Sequence, residues 1–187
     1  PEPEGNGASP NGSLVDGTAE TSSTVHCLDA ATGKSLATAL VGSRPRDVLF
    51  LPSRSEIWVS SELRGTIAIF DAKTLQEKAT IDLVPAFPDV ENVQAVEMEV
   101  TRDGRRAFVA MGRSDKVAEI DPRTREVVRS FPTGRRTWGI ALAPDESRLY
   151  AASGLSGELT IIDLAKNEVA RTVQLGGKPW TVEALPR

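Results

Sequence analysis

Short apolar stretches alternate with turn-forming residues along the chain, and no apolar stripe recurs at helical spacing. The stretch from Gly134 to Trp180 shows the unit most clearly. Gly134-Arg-Arg-Thr-Trp-Gly leads into Ile140-Ala-Leu142, and the turn Pro144-Asp-Glu-Ser follows. Then come Leu149-Tyr-Ala, a Gly/Ser loop, Leu159-Thr-Ile-Ile-Asp163, and Val169 through Leu175. Each apolar piece is strand-sized, and each break carries Pro, Gly, Asp or Ser, which fit tight turns. The unit predicts four short strands that return to a glycine.

The unit repeats. Asp29, Asp71, Asp121 and Asp163 each close an apolar strand, at spacings of 42, 50 and 42 residues. The first three continue as Asp-x-x-Thr through Thr32, Thr74 and Thr124, whereas Lys166 stands in the fourth. A carboxylate at that place accepts backbone N–H groups two and three residues on and tightens a hairpin. These four Asp are therefore read as turn residues rather than metal ligands. A second marker, at Pro10-Asn-Gly, Pro52-Ser-Arg, Arg102-Asp-Gly and Pro144-Asp-Glu, precedes a second strand in each unit. A third opens the unit at Gly42-Ser-Arg-Pro-Arg46, Gly134-Arg-Arg-Thr-Trp138 and Gly177-Lys-Pro-Trp180.

Four strands per period of about 42 residues predict an all-β fold, a β-propeller of about four blades with four antiparallel strands each. Strands such as Thr66-Ile-Ala-Ile-Phe70 are apolar on both faces, as a sheet sandwiched between neighbours requires. The blades are expected at about 1–42, 43–84, 85–134 and 135–176, with 177–187 as one extra inner strand. The longer spacing of the third repeat is absorbed by Pro85-Ala-Phe-Pro-Asp-Val-Glu-Asn-Val93, a loop ahead of an inner strand. The first repeat is weakest, because Gly5, Asn6, Gly7 and Ala8 replace the apolar residues of its sisters.

Composition removes several functional classes. The chain has 187 residues, enough for one domain with a real core, and 40% of them are hydrophobic. No apolar run approaches the roughly 18 residues of a membrane helix. A net charge of -4 argues against nucleic acid, whose affinity comes mainly from a basic face. The pairs Arg105-Arg106 and Arg135-Arg136 are read as solvated turns. One cysteine, Cys27, excludes an intramolecular disulfide and a multi-cysteine metal site; one histidine, His26, counts against a Ser-His-Asp triad. The chain starts at Pro1 without methionine or signal peptide and is expected to be a piece of a longer protein.

The segments Pro3-Glu-Gly, Gly42-Ser-Arg-Pro-Arg, Trp58-Val-Ser-Ser-Glu62, Gly134-Arg-Arg-Thr-Trp and Lys178-Pro-Trp180 resemble the YVTN-type propeller repeat. More narrowly, they look like the β-propeller proteins associated with PQQ-dependent (quinoprotein) catabolism in bacteria. The resemblance implies seven blades, of which this chain matches the C-terminal four, and export to the periplasm. It also implies a non-catalytic binding or scaffold role beside a quinoprotein alcohol dehydrogenase, with any association with PQQ indirect and no cofactor of the chain's own. The repeat is similar as well to surface-layer propellers and to haem d1 propellers, which ligate iron with histidine. His26 falls late in an apolar strand, where sister repeats have Ala68, Ala118 and Thr160, and is read as a packed or hydrogen-bonded strand residue. Cys27 beside it is read as a small core residue.

In a propeller, the residue after the start-of-repeat proline points toward the mouth of the central channel. Those positions are Glu4, Arg46, Ala95, Trp138 and Trp180, with Arg44, Glu62, Arg64, Arg136 and Lys178 nearby. Two indoles, a guanidinium and a carboxylate at one mouth suit a planar or anionic ligand. The plainer reading wedges the tryptophans between blades and pairs the charges with one another. An enzyme of the lactonase or lyase type is the alternative, weakened because Glu4 is the only carboxylate among the aligned positions. A surface-layer-like interaction module is a third reading. Finally, an open arc of four blades has two bare faces; about 500 Å² of apolar surface on each would forgo about 12 kcal/mol of burial. The arc is expected to be covered by missing blades or a second copy, or to close on itself.

Overall fold

The computed structural model describes residues 4–8 and 14–186, with side chains described from residue 17 onward. Sixteen strands form four separate sheets, each a four-stranded meander in chain order. The first sheet holds β1 (Glu4–Ala8), β2 (Leu14–Ala19), β3 (Thr24–Asp29) and β4 (Ser35–Leu40). The second holds β5 (Pro45–Leu51), β6 (Glu56–Ser61), β7 (Thr66–Asp71) and β8 (Glu77–Asp82). The third holds β9 (Met98–Val100), β10 (Ala107–Ala110), β11 (Lys116–Asp121) and β12 (Glu126–Pro132). The fourth holds β13 (Thr137–Leu142), β14 (Arg148–Ser153), β15 (Glu158–Asp163) and β16 (Glu168–Gln174). Two short 3₁₀ turns, Pro52–Arg54 and Val84–Ala86, are the only helical segments among the described residues. None of those residues forms a helix long and apolar enough to cross a membrane.

All neighbours within a sheet pair antiparallel. The four sheets are leaves of a partial β-propeller, and alternation along each middle strand explains how the leaves stack. On β6, Ile57 and Val59 join Val25 and Cys27 between the first and second sheets. Trp58, one residue away, faces the other way and joins Met98, Val109 and Met111 between the second and third. On β10, Phe108 and Ala110 then join Ile140, Leu149 and Ile162 between the third and fourth. Successive residues of a strand point to opposite faces, so a strand buried on both sides reads as continuously apolar. Among the described residues, substantial packing runs from each sheet to the next, and none joins the fourth to the first. The arc is open.

The turn aspartates have the predicted geometry. Asp29 Oδ1 accepts the N–H groups of Ala31 and Thr32 at 3.1 and 2.8 Å and the Thr32 hydroxyl at 2.7 Å. Asp71 repeats all three bonds with Lys73 and Thr74. Asp163 takes Ala165 N–H and Lys166 N–H at 3.1 and 2.9 Å, so the turn survives the loss of the threonine. His26 lies between two hydroxyls, Nε2 at 2.9 Å from Thr24 Oγ1 and Nδ1 at 3.1 Å from Thr38 Oγ1. Cys27 is buried in the cluster between the first two sheets. Residues 175–186 carry no strand, so 177–186 is not a paired inner strand; it lies along β13, with Thr181 against Gly139. A Cβ on Gly139 would come within 2.5 Å of the Thr181 Cα, which is why glycine stands there.

Candidate functional site

The innermost strand of each sheet has one neighbour only and turns its other edge toward the propeller axis. Backbone N–H groups on that edge have no ladder partner and need an acceptor. Carboxylates supply it. Asp47, on β5, accepts the N–H of Met98 on β9 at 2.7 Å and that of Val48 at 2.8 Å. Glu97, just before β9, accepts the N–H of Ile140 on β13 at 2.9 Å. Glu99 takes a backbone hydrogen bond from Leu142 in the same strand. The second and third sheets thus each reach across to the inner strand of the next.

These three acids line the axial side at close quarters. Burial pushes the Asp47 carboxyl up to about 6, against the pull of its two N–H donors. Burial likewise raises Glu97 to about 7, with the charge of Asp47 adding to it. Glu99 also rises to about 7, chiefly by burial and then through the charges of Glu97 and Asp47. Among the described residues no group of three or more His, Cys, Asp or Glu side chains is placed to hold a metal ion.

Above the acids lies a cavity of about 400 Å³, lined by Arg46, Asp47, Val96, Glu97, Trp138, Trp180 and Thr181. Trp138 is buried, and Trp180, 58% exposed, stacks on it with ring centroids 4.4 Å apart. The Arg46 and Arg136 guanidiniums each sit 5.0 Å from the Trp138 ring centre, and Arg136 is also 5.8 Å from that of Trp180. Such stacking of cations on indoles holds planar groups in register.

Of the residues expected at the mouth, the structure therefore brings together Arg46, Arg136, Trp138 and Trp180. Arg44 and Glu62 belong to an ion-pair network beside them. Arg46 Nη2 is 2.6 Å from Glu62 Oε2 and its Nη1 3.4 Å from Glu20 Oε2, while Arg44 Nε is 2.5 Å from Glu20 Oε1. Gln94 closes the network by donating to Glu62 Oε1 at 3.2 Å. Arg64 and Lys178 are exposed and line no part of the cavity. Glu4 lies in β1, and its side chain and the Pro10 turn fall outside the described residues.

Two expectations need correction. Ala95 is fully buried in the core, and the ladder shows why. Val48 pairs with Val59 as Met98 pairs with Val109, so Val96, not Ala95, is the counterpart of Arg46. Nor does the lack of carboxylates other than Glu4 at the aligned positions leave the cavity without acids, since Asp47 and Glu97 line it one position further along. The alternation Val96-Glu97-Met98-Glu99-Val100 carried the signal for two of the three acids.

The model of a family described as "Lactonase, 7-bladed beta-propeller" matches residues 20–181. Among solved structures, a chain of the Kuenenia stuttgartiensis hydrazine synthase superposes with a TM-score of 0.81 at 23% identity. The match covers 92% of this chain and 49% of that one, so the chain spans about half the length of that relative, and at this identity the likeness is one of fold. No curated protein sequence matches.

Proposed function

We propose that this chain, which belongs to the lactonase family of seven-bladed β-propellers, is the binding arc of a propeller that performs no chemistry of its own. The ligand is a planar, anionic molecule or partner group held at the axial cavity. The observation that carries this reading is the exposed Trp180 face stacked on the buried Trp138, with Arg46 and Arg136 at the rings. Ring stacking would hold the plane, and the guanidiniums would take carboxylate or carbonyl oxygens. The Arg-Pro-Arg, Ser-Ser-Glu and Pro-Trp segments support a place in the periplasm beside a quinoprotein alcohol dehydrogenase. Titration of the tryptophan fluorescence with PQQ, used as a probe for a planar polycarboxylate and not as a cofactor of the chain, tests it. Saturable quenching that weakens about tenfold in Trp180→Ala, at an unchanged melting temperature, is the expected result. Quenching that is absent, or indifferent to Trp180, overturns it.

A second reading, hydrolysis of a cyclic ester, is favoured by one observation: Asp47 and Glu97 line the cavity with carboxyls raised to about 6 and about 7. A carboxylate in that range can take the proton of an attacking water near neutral pH. An aldonolactone assay separates the readings. Turnover that rises through about pH 7 and vanishes in Glu97→Gln would establish hydrolysis.

A further inference from the structure

The repeat frame exposes a missing partner. Backbone hydrogen bonds place Arg136 and Arg44 at the same position, since Arg44 O accepts the N–H of Glu62 and Arg136 O accepts that of Gly154. Both residues have positive φ, 55° and 59°. The same frame equates Ser23 with Asp115, because Val41 N–H bonds to Ser23 O as Thr133 N–H bonds to Asp115 O. Three residues before each stand Glu20 and Gly112. Between the first and second sheets, Arg44 therefore meets the carboxylate of Glu20 at 2.5 Å. Between the third and fourth, its counterpart Arg136 faces a glycine.

What surrounds Arg136 deepens the deficit. Arg113 and Arg135 line the same open cleft of about 390 Å³, together with Asp115 and Leu155. At the other junction, the counterparts of these two arginines are Thr21 and Ser43. No ion pair joins Arg113, Arg135 or Arg136 to any acid among the described residues. The Nε–H of Arg136 is buried without a hydrogen-bond partner. Asp115, the one carboxylate in the cleft, spends Oδ1 on the backbone N–H of Arg136 at 2.7 Å. Three guanidiniums against one carboxylate leave the cleft positive on a chain whose net charge is -4.

We propose that Arg113, Arg135 and Arg136 form a binding site for an oxyanion, a carboxylate or phosphate group that takes the place Glu20 holds beside Arg44. Planar guanidiniums bind such groups through paired N–H donors. Leu155, 50% exposed at the rim, accommodates an apolar portion of the ligand next to its charge. The site adjoins the axial cavity through Arg136 but stands without the ligand proposed there.

Calorimetric titration of the full chain at low salt tests it, with inorganic phosphate, succinate and a short Asp/Glu-rich peptide as probes. Saturable binding is expected, weakened roughly tenfold or more by Arg136→Gln and by the double variant Arg113→Gln/Arg135→Gln. The double variant alters two exposed side chains and keeps the test open should Arg136→Gln fail to fold. Trp180→Ala should retain the binding, which separates this site from the axial one. A peptide much tighter than the free anions marks a protein segment as the source, and equal affinities mark a small anion. Absence of saturable binding, or binding indifferent to the double variant, overturns the proposal.

Discussion

Glu97, at the threshold of the third sheet, holds the backbone N–H of Ile140 in the fourth at 2.9 Å, as Asp47 holds that of Met98 one sheet earlier. The two bonds are the same rung repeated around the axis. They join edges that strand pairing cannot reach, and so tie neighbouring leaves through the backbone of Met98 and Ile140, which also sit in the clusters between the sheets. Removing an acceptor strands a donor, at a cost of about 1–3 kcal/mol. Asp47→Ala should therefore lower stability by that order in denaturant unfolding. Asp47→Asn keeps one of the two accepting oxygens and sets its NH₂ against the other N–H donor, so it should recover only part of the loss.

The same acids set the pH dependence. Asp47, Glu97 and Glu99 hold their protons more tightly in the fold than in the unfolded chain, at about 6, about 7 and about 7. Their contribution is complete below the ordinary carboxylate range and is lost as pH rises through those folded values. Asp29, Asp71 and Asp121 act in the opposite sense. Their turn hydrogen bonds hold them below 3.8, so their contribution exists above that value and fades on acidification. Stability should peak at about pH 4, where the two windows meet, and decline from there to about pH 7. In Glu97→Gln/Glu99→Gln, melting curves should show the alkaline decline flattened while the acid limb stays.

The stacked tryptophans differ in what they hold up. Trp138 is 4% exposed and packed in the cluster between the third and fourth sheets, whereas Trp180 is 58% exposed. Trp138→Ala should cost about 3–5 kcal/mol, the usual range for removing a buried large aromatic. Trp180→Ala should cost a small fraction of that. Equal losses in the two variants would mean that the segment 177–186 is a structural part of the fourth leaf.

What the sequence disclosed and what it concealed divide along the range of the interactions. The Asp29 turn is closed by atoms two and three residues away, so its chemistry is written in Asp-x-x-Thr itself. The two-faced burial of β6 and β10 was legible for the same reason, in runs such as Ile57-Trp58-Val59. Asp47 and Glu97 were hidden because their partners lie a whole leaf away and belong to the backbone, which leaves no residue-type signature. Val96 stands six residues before Arg102, as Arg46 stands six before Pro52, so that alignment was legible in the sequence and Ala95 was one place off. Arg135-Arg136 read as an ordinary solvated turn, and its deficit became visible only when Gly112 fell opposite the position that Glu20 fills beside Arg44.

An open arc should not remain alone in solution. Four leaves of a family built on seven leave the outer faces of the first and fourth sheets without the neighbour that covers every other face. On the fourth sheet, the segment with Val182 and Leu185 lies over Tyr150 and Leu159 and shields part of that face. On the first, Leu36 and Leu40 of β4 are 54% and 77% exposed. Apolar surface left in water costs about 25 cal/mol per Å², and large patches recruit a partner. Light scattering behind size exclusion should therefore find the isolated chain above monomer mass, and co-expression with three further blades of the same family should return a single compact species. A compact monomer that stays dispersed at high concentration and binds no hydrophobic dye would show instead that these faces are satisfied within the chain.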